Sequence, residues 1–210
     1  VGIENTGLYN GTRYYEKFRI RNGKHKFLLT PEFQKGDVVY WNQPYYDIDM
    51  KYDLFEGQII IMLNKISGTS ILQLNKKEIQ SFSLDNRKFV YLKNVEGDFS
   101  TVPVSDFFEE MAHTDLLVLY KKNRKIRNKY IVNKVIYSEF KTKNEYYVSY
   151  DGGFYEILKK SNWNKLFPKQ KKVINSFYKE YRDMMKSDYD LFLTRLATKL
   201  NTGTINLNSD

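Results

Sequence analysis

Hydrophobic and polar positions alternate most regularly in the first third of the chain, where they predict antiparallel strands. Between Tyr46 and Leu54, apolar side chains alternate with polar ones that include Asp47, Asp49 and Asp53. A period of two is typical of a strand with one face in the core and the other in water. We therefore predict a half-buried strand, with Tyr46 on the buried face and the three aspartates on the solvated face.

Short strand-like segments separated by turn signals continue as far as Leu158. Dipeptides that favour turns stand at Glu56-Gly57, Asp85-Asn86 and Asp151-Gly152. In the last of these, aspartate and glycine supply the positive backbone dihedral angles that a type I′ hairpin turn needs. Residues 130–137 are predicted as one strand. Many short strands joined by tight turns indicate an antiparallel sheet.

The period changes to that of helices after residue 160, and two amphipathic segments follow. Ser161 is predicted to cap a short helical turn, and Pro168 stands where a new helix can begin. Ser187 and Asp190 have the spacing of a capping box for a last helix. The apolar faces consist of Val173, Ile174, Phe177, Tyr178, Tyr181, Met184 and Met185 in the first segment, and of Tyr189, Phe192, Leu193, Leu196 and Leu200 in the second.

Together these patterns predict an α+β fold. Its main part is an antiparallel, strongly curved β-sheet, arranged as a meander, a partial barrel or a sandwich, and a C-terminal helical hairpin follows. The predicted β-rich body spans residues 1–160, with a loose arm at residues 1–9. Helices packed on this body span residues 161–201, and a tail spans residues 202–210.

Composition excludes several kinds of chemistry. Of the 210 residues, 41% are hydrophobic and 28% are charged, as in soluble globular proteins. Cysteine is absent, which excludes disulfides, thiolate metal sites and thiol nucleophiles. The sequence has no phosphate-loop, dinucleotide-binding, zinc-protease or serine-hydrolase motif, and we interpret His25 and His113 as surface or turn residues. We therefore predict a protein that is not an enzyme, with no catalytic residue, no cofactor and no metal site.

The aspartates of the alternating strand could suggest a calcium site. An EF-hand loop starting at Asp47 needs glycine at its sixth position and glutamate at its twelfth. Tyr52 and Gln58 occupy those positions. A solvated strand face therefore explains the aspartates better than a bound ion does.

Basic residues are concentrated in the second half of the chain, whose overall net charge is +9. The candidate surface for an anionic partner consists of Lys121, Lys122, Arg124, Lys125, Arg127, Lys129 and Lys134. With Lys141 and Lys143 these make nine basic residues in the segment 120–144, against Glu139 alone. Such a run could follow a phosphate backbone, contact an anionic lipid or polymer surface, or be solvated charge that opposes aggregation.

Several blocks of the sequence resemble a broad group of exported β-rich proteins of unknown function from Gram-negative bacteria. The blocks are Gly36-Asp37-Val38-Val39-Tyr40 with Tyr45 and Met50-Lys51-Tyr52-Asp53, Phe107-Phe108-Glu109-Glu110 through Leu116–Tyr120, Tyr146–Leu158, Lys159-Lys160-Ser161 with Lys165-Leu166-Phe167, and the two lysine-rich helices. The resemblance covers about residues 36–201. It implies export to the periplasm or the cell surface, with a signal peptide removed before Val1 and a possible lipid anchor upstream. It implies no catalytic positions.

These observations favour a non-enzymatic extracytoplasmic protein that binds a partner protein or another component of the cell envelope, or serves a structural role. Its β-rich body would present tyrosines, and its helices would present basic charge. One alternative is a small apolar or glycan ligand bound inside the curved sheet among aromatic side chains. A second is nucleic acid bound through residues 121–143, which is the less favoured partner. An enzyme of a type without a recognisable motif also stays open.

Overall fold

The computed structural model describes residues 7–65, 68–97 and 100–205. Its contacts divide the chain into a first unit, residues 1–91 and 123–144, and a second unit, residues 92–122 and 145–210. The strands of the described residues are β1 (Thr12–Arg13), β2 (Gln34–Tyr40), β3 (Gln43–Asp53), β4 (Gln58–Lys65), β5 (Gly68–Gln73), β6 (Ile79–Leu84), β7 (Arg87–Gly97), β8 (Ser100–His113), β9 (Val118–Lys122), β10 (Lys125–Val132), β11 (Val135–Thr142), β12 (Glu145–Tyr150) and β13 (Gly153–Glu156). The helices are α1 (Lys160–Leu166), α2 (Lys171–Glu180), α3 (Arg182–Ser187) and α4 (Tyr189–Ile205).

The first unit contains an antiparallel sheet with the strand order β1-β5-β4-β3-β2-β6-β7, to which β7 contributes its beginning. β10 and β11 form a separate two-stranded sheet. The predicted turn at Asp85-Asn86 connects β6 to β7, and both of its residues have positive φ. The core beside these strands is aromatic: Phe82 and Phe89 stack with their ring centroids 4.5 Å apart, and Tyr52 meets both rings edge-on.

A β-bulge near the start of β3 breaks the alternation that the sequence predicts for this strand. The register with β2 shifts between Gly36 and Val38, and Asp47 has a φ of 55°. An extra residue in one strand rotates the positions beyond it onto the opposite face. Tyr46, predicted on the buried face, is therefore 70% exposed. Tyr52, beyond the bulge, is buried as predicted.

The aspartates of β3 lie in different environments, so the prediction of one solvated face is wrong for Asp53. Asp47 and Asp49 reach the surface, where both pair with Lys35. Asp53 is fully buried, and the cost of burying its carboxylate is offset by backbone N–H groups from the turn after β3 and by buried Lys26.

The segment predicted as one strand at residues 130–137 is a hairpin. Asn133 and Lys134 have φ values of 50° and 64° and form the two-residue turn between β10 and β11. Both central residues of a type I′ turn need positive φ, and asparagine tolerates it better than most residues. Asn133 was thus the sequence signal for this turn.

In the second unit, an antiparallel sheet has the strand order β13-β12-β9-β8, and helices follow it in the chain. The predicted hairpin turn at Asp151-Gly152 joins β12 to β13. One pairing is parallel, between Phe154 of β13 and Gly97 of β7. The prediction of a mainly antiparallel sheet followed by C-terminal helices is confirmed.

The helical region has more breaks than predicted. The first amphipathic segment is divided at Tyr181 into α2 and α3. The Ser187 hydroxyl donates to carbonyl oxygens of α3, whereas the Asp188 carboxylate accepts the Leu191 N–H at 2.9 Å. Asp188 therefore caps α4, and the predicted capping box at Ser187 is wrong. Ser161 is also not a cap, because α1 begins at Lys160.

The helices share one hydrophobic core with β9 and β12 of the second unit. Trp163 and Phe167 from the first helical turns lie in it with Phe192 of α4. Leu119 of β9 and Val148 of β12 complete it from the sheet.

The predicted arm and tail lie partly outside the described residues, which begin at residue 7 and end at residue 205. Gly7–Asn10 form a short 3₁₀ turn in which Leu8 is buried. At the other end, α4 continues to Ile205.

Candidate functional site

The β10–β11 hairpin is held at Ser138, about halfway along β11, by the chain segment that precedes β2. The Arg21 N–H donates to the Ser138 carbonyl at 2.9 Å, and the Ser138 N–H donates to the Arg19 carbonyl at 2.8 Å. These bonds add a short strand-like contact to the outer edge of β11. The half of the hairpin that is remote from its turn, its base, is thereby fixed to the rest of the first unit.

Aromatic and ionic contacts strengthen this base. The Phe140 ring packs edge-on against Phe18 at 5.5 Å and Phe55 at 5.1 Å between centroids. Glu139, the single acidic residue of the hairpin, accepts hydrogen bonds from Asn22 at 2.8 Å and Lys24 at 2.9 Å. The Lys24 hydrogen bond is the main cause that lowers the pKa of Glu139, so the carboxylate stays ionised and paired. It therefore offsets little of the charge of the exposed lysines.

The end of the hairpin carries aliphatic side chains in water. Ile131 and Ile136 stand directly opposite each other, which places their side chains on one face, and they are 75% and 55% exposed. Val132, beside the turn and on the opposite face of β10, is 40% exposed. Exposed aliphatic residues that are clustered, rather than scattered singly, mark interaction sites.

Two exposed lysines accompany these aliphatic residues. Lys129 stands two positions before Ile131 on the same face of β10, and Lys134 lies in the turn itself. We call Lys129, Ile131, Val132, Lys134 and Ile136 together the hairpin tip. Apolar side chains at the very end, with ammonium groups beside them, suit an anionic surface that has an apolar interior.

The structure divides the seven predicted basic residues between the two units. Lys121 and Lys122 belong to the second unit, where they pair with carboxylates of Asp190 and Asp106. Both ammonium groups are therefore largely neutralised within the chain.

Two of the remaining five are used to build the hairpin base. The Lys125 ammonium donates to the carbonyls of His25 and Phe27, both at 2.8 Å, and burial lowers the pKa of Lys125. Arg127 donates from Nε to the Ser138 hydroxyl, and its guanidinium lies over the Phe18 ring at 4.4 Å. Arg124, Lys129 and Lys134 are exposed; the last two belong to the hairpin tip.

Neither histidine lies in an arrangement that indicates catalysis. The Nδ1 atom of His25 accepts the Phe27 N–H at 3.2 Å, and burial together with the charge of Lys125 lowers the pKa of His25. His113 is exposed, with Nδ1 3.6 Å from a Glu110 carboxylate oxygen. Among the described residues, no group of three or more His, Asp or Glu side chains is placed to hold a metal ion.

Surface grooves are present in both units. One, of about 380 Å³, lies in the second unit and is lined by residues such as Val173, Phe177, Tyr181 and Lys199. In the first unit, the rings of Tyr52, Phe82 and Phe89 pack against one another in the core.

Comparison of the chain with protein families, curated proteins and solved structures returned no match. Among the described residues, no helix is both long and apolar enough to span a membrane. The contacts and exposure of the hairpin residues are therefore the basis for assigning a function to this site.

Proposed function

We propose that this chain is a non-enzymatic binding module that docks on an anionic lipid surface through the hairpin tip. The observation that carries the proposal is the exposure of Ile131, Val132 and Ile136 at the free end of an anchored hairpin, with lysines beside them. The aliphatic side chains enter the boundary between headgroups and acyl chains. The lysine ammonium groups remain at the depth of the phosphates.

The energies of these two contacts are sufficient for reversible docking. Complete burial of one isoleucine side chain is worth about 1.5–3 kcal/mol. Each lysine near an anionic membrane adds about 1 kcal/mol. Part of this binding free energy is offset by the ordering of the side chains and by their incomplete burial. The association is therefore weak and reversible, and it depends on the charge of the lipid.

The shape and chemistry of the hairpin tip favour lipid over the other partners considered. Single-stranded nucleic acids are bound by stacking on aromatic rings, whereas the tip is aliphatic. The nearby Tyr130 ring is already covered by the Arg21 guanidinium at 5.1 Å. A stable protein interface usually involves about 20–30 residues on each side, whereas the hairpin tip consists of five.

Export to the periplasm or the cell surface belongs to this proposal. The sequence resemblance described above supports it, and the cell envelope provides anionic lipid. A strongly curved sheet and a C-terminal helical pair would complete the scaffold that carries the hairpin.

Vesicle binding tests the proposal directly. The protein is mixed with phosphatidylglycerol–phosphatidylcholine vesicles and, separately, with phosphatidylcholine vesicles, and the bound fraction is measured by sedimentation. We expect binding to the anionic vesicles only, weakened by added salt because exposed charges are screened. The double substitution Ile131→Ser/Ile136→Ser is expected to weaken binding by about tenfold or more.

Matched variants separate the hairpin tip from general surface effects. Tyr46→Ser removes another exposed apolar side chain of the first unit and should leave binding unchanged. Lys134→Gln should reduce binding, whereas Lys77→Gln, an exposed lysine outside the hairpin, should have little effect. Binding that is equal for both kinds of vesicle, or insensitive to the isoleucine substitutions, contradicts the proposal. Tight binding to single-stranded nucleic acid with a steep salt dependence would favour that alternative instead.

A further inference from the structure

A second feature of the first unit lies away from the hairpin tip: a lysine and an aspartate that are both fully buried. The chain around Lys26 runs antiparallel to the end of β3, with Phe27 opposite Asp53 and the Leu54 N–H donating to the Lys26 carbonyl at 3.0 Å. The Lys26 Nζ atom lies 2.8 Å from Asp53 Oδ2. The two groups thus form a buried ion pair.

Aromatic rings enclose the lysine. The ring centroids of Phe18, Phe27 and Tyr14 lie 4.9, 5.4 and 5.4 Å from Lys26 Nζ. Such rings attract an ammonium group, but they solvate it far less well than water does. Burial raises the pKa of Asp53 despite the hydrogen bonds it accepts. The Asp53 carboxyl group therefore takes up a proton more readily than an exposed aspartate does, and Lys26 Nζ lies 2.8 Å from its Oδ2 atom.

The other carboxylate oxygen of Asp53 is held by two backbone donors. Oδ1 accepts the N–H of Phe55 at 2.9 Å and the N–H of Glu56 at 3.0 Å. Two such donors on one carbonyl oxygen can stabilise the negative charge that develops there when a nucleophile attacks the carbon. Oδ1 is thus placed as the oxygen that stays, and Oδ2 as the oxygen that leaves.

A third carboxylate lies within reach of the lysine. Glu16 Oε1 is 3.3 Å from Lys26 Nζ. Partial burial tends to raise the pKa of Glu16. Hydrogen bonds from the Tyr14 hydroxyl and the Phe18 N–H, together with the Lys26 charge, outweigh it and lower the pKa. Glu16 is therefore ionised and can accept a proton.

We propose that Lys26 and Asp53 become joined by an isopeptide bond that the folded first unit forms without another enzyme. One proton passes from the ammonium group to Oδ2, and the neutral Nζ attacks Cγ of Asp53. Glu16 removes a second proton from Nζ and delivers it to the departing Oδ2. An Nζ–Cγ amide bond forms, the Cγ–Oδ2 bond breaks, and one water molecule leaves, so that charge and atoms balance.

The fold holds the amine and the acid together and keeps bulk water away from them, two conditions that this condensation lacks in solution. Holding amine and acid together in advance removes the entropic cost of bringing them together, an effect that reaches effective concentrations of about 10⁵–10⁸ M. Burial of both groups keeps bulk water away from the product amide. The inference is independent of lipid binding, because it concerns a different part of the first unit.

Intact-mass spectrometry of the purified full chain after incubation at neutral pH tests this proposal. We expect a mass lower than that of the sequence by one water molecule. A proteolytic digest should contain one branched peptide that links the segments around residues 26 and 53. Asp53→Ala and Lys26→Arg should both restore the full mass, and Glu16→Gln should slow the loss of water by about 100-fold.

Two controls exclude other sources of the same mass change. Asp151-Gly152 can lose water by succinimide formation, so the loss must persist in Asp151→Glu. Lys51→Arg changes a neighbouring half-buried lysine, whose Nζ lies 4.3 Å from the Phe27 ring centroid, and should also retain the loss. A wild-type protein of unchanged mass, or one whose missing water maps elsewhere, overturns the proposal, whatever the variants do.

Discussion

Asp53→Ala is expected to lower the free energy of unfolding of the first unit by about 3–5 kcal/mol, because the substitution leaves a buried lysine without its close carboxylate. Lys26 and Asp53 are both fully buried, and Lys26 Nζ lies 2.8 Å from Asp53 Oδ2. The next carboxylate, Glu16, is farther away and partly exposed. The same substitution also removes the acceptor of the Phe55 and Glu56 N–H groups. A covalent bond in the wild-type protein would add to this loss.

Urea unfolding followed by circular dichroism measures the change. Asp49→Ala is the matched control: it removes an aspartate of the same strand whose partner, Lys35, is exposed, so it should cost less than about 1 kcal/mol. The double variant Lys26→Met/Asp53→Leu should be more stable than Asp53→Ala, because an apolar pair leaves no buried charge. Equal stabilities of the Asp49 and Asp53 variants would contradict the interpretation of this buried pair.

Phe192→Ala is expected to cost about 3–5 kcal/mol of stability in the second unit. Phe192 is fully buried in α4, and its ring centroid lies 5.2 Å from that of Phe177 and 4.9 Å from that of Tyr178. Truncation leaves a cavity that the surrounding rings of different helices fill only in part. The loss therefore combines transfer of the ring to water with the cost of the cavity.

Thermal and urea unfolding of the full chain give the readout for this prediction. Leu191→Ala is the matched control, because Leu191 precedes Phe192 in the same helix and is exposed. It should change stability by less than about 0.5 kcal/mol. If both variants lose the same stability, Phe192 is not part of a tightly packed core and the description of this unit is wrong.

Local sequence signals predicted the parts of the fold that depend on local structure. Asp151-Gly152 indicated its hairpin because few residues tolerate the positive φ that the turn requires. The helical period after residue 160 likewise located the helical region. Asn133 carries a similar signal, but the apolar residues on both sides of it favour one continuous strand.

Features set by contacts distant in sequence could not be predicted in the same way. The positive φ of Asp47 accompanies a shift in the pairing of β3 with β2, and it leaves Tyr46 exposed. The burial of Asp53 depends on Lys26, 27 positions earlier in the sequence, which alternation within β3 does not reveal. A polar residue on a period-two face is usually solvated, so its pairing becomes evident only in three dimensions.

For the candidate site, the sequence predicted a concentration of basic residues, but it did not show which of them are exposed and which are paired within the chain. Counting basic residues could not show that Lys121 pairs with Asp190, or that Lys125 binds backbone carbonyls at the hairpin base. It also missed the aliphatic part of the hairpin tip, because Ile131 and Ile136 look like ordinary core residues of a strand. Only the turn at Asn133-Lys134 shows that they lie together at an exposed end.

The most direct test of lipid docking uses the absence of cysteine from the chain, which makes an introduced thiol unique. Ile131→Cys, labelled with an environment-sensitive nitrobenzoxadiazole dye, reports the polarity around the hairpin tip, and Tyr46→Cys provides the labelled control. We predict a blue shift and increased emission of the dye at position 131 with phosphatidylglycerol-containing vesicles, and no change at position 46. An unchanged spectrum at position 131, or equal changes at both positions, would contradict insertion of the hairpin tip.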